Sequence, residues 1–154
     1  MLGSVARKLR IFGYDALYFK EGGDVELQAM AKRTGRIVLT SDLVLFERLQ
    51  KHGKQSFLVQ GNSDRQRLLS LLRSAGPGLE LRLGGRNASR CAVCNGELEV
   101  ATKKVAHEGG VPSKVLARHR LFFRCTSCGR FYWRGKHWGR LRRLSYSLKT
   151  KDLT

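Results

Sequence analysis

From Leu2 to Pro77 the apolar positions alternate between helical spacing and short continuous runs. Leu2, Val5, Ala6 and Leu9 recur at helical spacing, Phe12 closes the stripe and Gly13 ends it. Ala16-Leu17-Tyr18-Phe19 reads as a short strand. Asp24 precedes Val25, Leu27, Met30 and Ala31, the apolar face of a second helix that stops at Thr34-Gly35. The run Ile37-Val38-Leu39-Thr40 has no polar alternation, as in a buried parallel strand. Ser41-Asp42 then opens a helix carrying Leu45, Phe46 and Leu49, which ends near His52-Gly53. Ser56-Phe57-Leu58-Val59 is the next strand. Asn62-Ser63-Asp64 offers N-caps for a helix with Leu68, Leu69 and Leu72, terminated by Gly76-Pro77. Strands and helices that alternate in this way imply a parallel sheet with helices packed on it.

The rest of the chain changes character. Gly96-Glu97-Leu98-Glu99-Val100, Leu121-Phe122-Phe123-Arg124 and Phe131-Tyr132-Trp133 are strand-like. Between the first two, the charged stretch from Lys103 to Arg120 reads as a long exposed loop around Gly109-Gly110 and Pro112. Gly84 to Ser89 reads as a linker. The expected organisation is therefore an α/β lobe over residues 1–87 and a small β-rich module over 88–154 that ends in a basic tail.

All four cysteines lie in the second module, as Cys91-Ala-Val-Cys94 and Cys125-Thr-Ser-Cys128. Each Cys-x-x-Cys pair puts two thiolates on one tight turn, and two such turns can close a sulfur tetrahedron around Zn²⁺. Asn95-Gly96 and Gly129 supply the turns expected after each pair. Two disulfides are the rival pairing. No secretory signal stands ahead of the pairs, however, which predicts a reducing, cytoplasmic compartment. A redox centre would need only one pair. The pattern predicts a structural zinc ribbon, in which four protein ligands leave no position open for water.

Charge points to a polyanionic partner. The formal net charge is +18, with +7 on the first 88 residues and +11 on the shorter remainder. Nucleic acid is the expected partner, ribosomal or transfer RNA among the options, and its binding should be strongly salt-dependent. A solvated basic face, or a ribosome-bound protein from a basic proteome, is the plainer alternative. A membrane is not expected, because no long apolar run or strongly basic amphipathic helix stands out.

Two groups of residues carry candidate chemistry. Asp42 follows Ile37-Val38-Leu39-Thr40 at the carboxyl end of an expected parallel strand, where ligands gather in open α/β sheets. Asp24 opens the preceding helix, with Glu21 and Glu26 nearby. Carboxylates so placed can hold Mg²⁺ or Mn²⁺ for phosphodiester hydrolysis. Both aspartates also stand where a helix begins, and capping alone would account for them. In the ribbon, Phe122, Phe123, Phe131, Tyr132, Trp133 and Trp138 interleave with Arg124, Arg130, Arg134, Lys136, Arg140, Arg142 and Arg143. Such rings can stack on unpaired bases while the cations hold phosphates. Phe123 and Tyr132 are expected mostly in the ribbon core. His137 could orient a phosphate or carry a proton, although a structural hydrogen bond is the role expected first.

The ordered series of these motifs resembles the Mut-seven C-terminal RNase domain family, a PIN-like nuclease fold followed by a zinc ribbon. Met1 to Arg10 through Gly13-Tyr14-Asp15 looks like its opening helix. Asp24-Val25-Glu26-Leu27 and Gly35 to Asp42 are similar to its two acidic motifs. The two cysteine pairs, with Asn95 to Leu98 and Tyr132 to Trp138, resemble its ribbon. The resemblance implies a metal-dependent RNase and raises Asp24 and Asp42 as catalytic metal ligands. Members of the family usually have an acid-bearing strand ahead of the Met-Leu-Gly helix, and a basic residue where Ser41 stands. The resemblance thus implies a nuclease lobe that is incomplete at its N-terminus.

The function expected from the sequence is RNA cleavage at a Mg²⁺ or Mn²⁺ site that includes Asp24 and Asp42, with Glu21 or Glu26 able to complete the shell. The nucleic-acid contacts expected are Arg134, Lys136, His137, Trp138, Arg140, Arg142 and Arg143. The alternative is a non-catalytic zinc-ribbon protein that binds RNA or DNA through a degenerate nuclease site. A third is an adaptor whose basic surface meets ribosomal RNA or an acidic protein.

Overall fold

A computed structural model of the chain describes residues 2–84 and 88–148. Met1, residues 85–87 of the expected linker and residues 149–154 of the basic tail lie outside it. The described residues form two compact units: 2–6 with 17–80, and 7–16 with 81–84 and 88–148. Helix α1 (Gly3–Ile11) is divided between them.

The first unit is α/β, built on α2 (Asp24–Thr34), β1 (Val38–Thr40), α3 (Leu43–Lys51), β2 (Ser56–Leu58) and α4 (Asp64–Ala75). β1 and β2 pair in parallel, with Val38 opposite Ser56 and Thr40 opposite Leu58. A parallel pair needs a crossover, and α3 supplies it. Val38, Leu45 and Leu49 are buried together, with Leu27 and Ala31 of α2 packed on them. α4 buries Leu68, Leu69, Leu71 and Leu72, one stripe of its apolar face.

The helix starts follow local chemistry. The Ser63 hydroxyl accepts from Gln66 N–H while the Gln66 side chain accepts from Ser63 N–H, a reciprocal capping box. At α2 the cap is Gly23, not Asp24, and the Glu26 carboxylate accepts from Gly23 N–H at 2.8 Å. The strand expected at Ala16–Phe19 does not form. Ala16 N–H is taken by the Asn95 side chain and its carbonyl accepts from Arg10 Nε, so the first residue of that stretch is held by side chains.

The second unit holds an antiparallel sheet in the order β3 (Leu98–Ala101), β4 (Phe122–Cys125), β5 (Phe131–Trp133). The stretch expected as an exposed loop contains two short helices, α5 (Lys103–Glu108) and α6 (Ser113–Arg118). The Thr102 hydroxyl caps α5, and Ala106 and Val111 are buried with Ala101 and Phe122. Within the residues expected as a basic tail, Lys136–Ser147 forms helix α7. Among the described residues no helix is long and apolar enough to cross a membrane.

Candidate functional site

The cysteine pairs form two matched turns. Asn95 N–H bonds the Cys91 carbonyl and Cys91 N–H bonds the Gly96 carbonyl, while Asn95 takes a left-handed φ of 70°. In the second turn Gly129 N–H bonds the Cys125 carbonyl and Cys125 N–H bonds the Arg130 carbonyl, with Gly129 at φ 72°. The turns bring all four sulfurs within 4.8 Å of one another. Cys91 and Cys128 Sγ are 3.7 Å apart, and Cys94 and Cys125 Sγ 3.4 Å. Sulfurs about 2.3 Å from a tetrahedral zinc stand about 3.8 Å from each other, so the tetrad fits a metal ion such as zinc. The four cysteines are not bonded as disulfides.

Second-layer groups tune the sulfurs. Burial would push the Cys91 thiol up, but the N–H groups of Cys94 and Val93 and the Tyr132 hydroxyl outweigh it and bring it down to about 6. The Tyr132 hydroxyl donates to Cys91 Sγ at 3.0 Å, and burial and that bond together raise its own pKa. Cys94 gains from Gly96 N–H, yet the neighbouring sulfurs of Cys125, Cys128 and Cys91 push it up to about 12. Arg10 is 7% exposed, and its Nη1 donates to the Ala92 and Val93 carbonyls inside the first turn, at 3.0 and 2.9 Å. Burial lowers its pKa, opposed by the nearby sulfurs of Cys91 and Cys94. Asn95 also bonds Asp15, so the segment after α1 is laced to the first knuckle. The sequence reading missed Arg10, and it placed Tyr132 in the ribbon core without its bond to Cys91. Nothing in the local sequence set Arg10 apart from Arg7 and Lys8 of the same helix.

A cleft of about 920 Å³ opens in the same unit. Phe123 and Tyr132 stand opposite each other across β4 and β5 and form its bed with Leu98. The expectation that Phe123 belongs to the core is off by one residue, because Phe122 fills the core on the other face of β4. Trp133 and the α7 residues Trp138 and Tyr146 add further rings, and the Arg134 guanidinium stacks 5.1 Å from the Trp138 ring centre. Arg134, Lys136, His137, Trp138 and Arg142 of the expected contacts line this cleft. Arg140 and Arg143 are exposed on α7 outside its lining.

The carboxylates are arranged differently. Asp42 is the N-cap of α3, its Oδ1 accepting from Leu45 N–H at 3.1 Å. Asp24 is bound by Arg48 of the same helix α3, at 2.9 Å. Glu26 is engaged at the start of α2, where its own N–H and that of Gly23 hold its pKa below the ordinary carboxylate value. Among the described residues the cysteine tetrad is the only group of three or more His, Cys, Asp or Glu close enough to share an ion, so Asp24 and Asp42 belong to no such group.

No curated protein and no solved structure matches the chain. The family model for the Mut7-C RNAse domain matches residues 1–145, nearly the whole length, and the chain belongs to that family.

Proposed function

We propose that the protein is a metal-dependent ribonuclease that hydrolyses phosphodiester bonds in RNA, with a structural zinc in its cysteine tetrad and a ribbon that grips the substrate. The observation that carries this reading is the family match across residues 1–145. In this reading Asp24 and Asp42 hold Mg²⁺ or Mn²⁺. An ion so held would lower the pKa of water and balance charge on the phosphate. The cap at α3 uses one oxygen of Asp42, and a carboxylate keeps a second for a cation. Arg48 binds one oxygen of Asp24, Oδ2, and the other oxygen of that carboxylate is the one a cation would take. Two carboxylates leave most of a six-oxygen shell to water and substrate phosphates, which suits an ion that arrives with RNA.

The shortage of a third carboxylate favours one second reading, a binding protein whose nuclease site is degenerate. Labelled single-stranded and structured RNA incubated with Mn²⁺ or Mg²⁺ separates the two. The ribonuclease cuts only with the divalent ion, and both Asp24→Asn and Asp42→Asn abolish cutting. Asn caps a helix as well as Asp does, so Asp42→Asn tests the carboxylate without removing the cap. RNA bound but never cut, or cut equally by both variants, would overturn the assignment.

A further inference from the structure

We propose that the aromatic cleft of the ribbon unit is the site that selects unpaired RNA, holding a short run of single-stranded nucleotides by base stacking. The proposal rests on the ribonuclease reading only for the identity of the strand as RNA. Three observations support it. The cleft gathers rings from two elements, Phe123, Tyr132 and Trp133 from the sheet and Trp138 and Tyr146 from α7. It is bordered by Arg82, Arg90, Arg134, Lys136 and Arg142, and none of the described residues lining it is acidic. Its volume of about 920 Å³ lies near the top of the range of about 300–1,000 Å³ typical of small-molecule sites, which gives room for more than one nucleotide.

This combination discriminates strand from duplex. A helix of paired nucleic acid hides its base faces in its own stack and presents phosphates and groove edges, which a bed of rings cannot use. Unpaired bases offer a π face to each ring while their phosphates reach the surrounding cations. Arg134 covers one face of Trp138, so a base on the other face completes a guanidinium–indole–base stack. The first turn of α7 borders the cleft at Lys136 and His137, and its N-cap Gly135 has no side chain to cap the helix. Its N–H groups can therefore serve a phosphate. Arg82 and Arg90 flank the ribbon's start in sequence and extend the contact set beyond the segment 134–143.

Trp133 and Trp138 are the only tryptophans of the chain, and both line the cleft, so tryptophan emission, excited where tyrosine does not absorb, reports on this site. The experiment titrates the full chain, without added Mg²⁺ or Mn²⁺, with an eight-nucleotide RNA, the same RNA annealed to its complement, and a glutamate-rich peptide. The expected result is quenching by the single strand, with at least tenfold weaker binding of the duplex and of the peptide. Trp138→Ala should weaken single-strand binding about 5- to 150-fold, the range for loss of one stacking face, and Trp138→Phe should weaken it less. Retained zinc content shows that the variants are folded. Equal binding of duplex or peptide, or binding without a change in fluorescence, overturns the proposal. Cleavage that persists without single-strand preference leaves the ribonuclease standing and removes the cleft. Strand-selective quenching without cleavage under any divalent ion does the reverse.

Discussion

Gly96 is the tightest point of the metal centre, and Gly96→Ala is a direct test of it. A methyl built there meets Ser127 Oγ at 2.5 Å and Cys125 Sγ at 2.9 Å, closer than side-chain atoms pack. Its backbone is not in the left-handed region, so the substitution acts by volume and not by φ. Ser127 is exposed and can rotate, whereas Cys125 is buried and its sulfur is one corner of the tetrad. Over-filling a packed site costs about 1–3 kcal/mol. If that cost falls on the metal-loaded form, it is a loss of about 5- to 150-fold in affinity. Competition for zinc against a chromophoric chelator reads this directly. Adding Ser127→Gly to the variant removes the hydroxyl contact and should restore only part of the affinity, because the sulfur contact remains. Wild-type affinity in Gly96→Ala, or full recovery in the double variant, would refute the claim that Cys125 Sγ is fixed by the metal.

Gly139 gives the opposite outcome: it lies within α7 with nothing inside 4 Å of an added methyl, so Gly139→Ala should stabilise the ribbon unit by about 1 kcal/mol and raise its melting temperature. Leu49 is fully buried against Val38 and Leu45, and Leu49→Ala should cost about 2–5 kcal/mol, seen as a lower denaturant midpoint with an unchanged slope. Metal binding should weaken by at least about tenfold for each pH unit lost below neutrality, because the Cys94 thiol is pushed up to about 12 and must release its proton to the solvent when it ligates. Zinc competition at pH 7.5 and 6.5 measures this, and a flat profile would count against it.

The α/β elements were legible because each is signalled locally. Ile37 to Thr40 is a continuous apolar run, and Asp42 and Ser63 both make the cap bonds that their positions promise. The two helices between β3 and β4 were missed because each has six residues and little periodicity to detect. Thr102 before α5 was a visible cap, yet Gly109-Gly110 and Pro112 outweighed it. At Ala16 the expected strand meets a partner no local window contains: Asn95, 79 positions away, takes its N–H. The cysteine tetrad was readable from spacing, whereas the Tyr132 bond and the cleft required the pairing of β4 with β5. For Asp42, cap and ligand are the same residue type in the same place, so position alone cannot separate the two roles, whereas Asp24 lies one residue inside α2, whose cap is Gly23.

That pairing ties the metal to the cleft. Phe123 faces Tyr132 across the two strands, and Cys125 lies two residues on, so all three project from one side of the sheet while Phe122 projects from the other. A slip of one residue would send Phe123 toward α5 and α6, bring Phe122 to the cleft and withdraw the Tyr132 hydroxyl from Cys91. The strands have only four and three residues, too few to fix their register by ladder bonds alone. Cys125 and Cys128 close the turn between them, and an ion shared with Cys91 and Cys94 would lock that turn against the first knuckle. Stripping the metal should therefore abolish RNA-dependent quenching of the tryptophans, although no cysteine lines the cleft. Refilling with Zn²⁺ should restore it, and Tyr132→Phe should weaken it only slightly because the ring remains. A metal-free protein that still quenches with RNA at full affinity would show that the sheet holds its register unaided, and would separate the two sites.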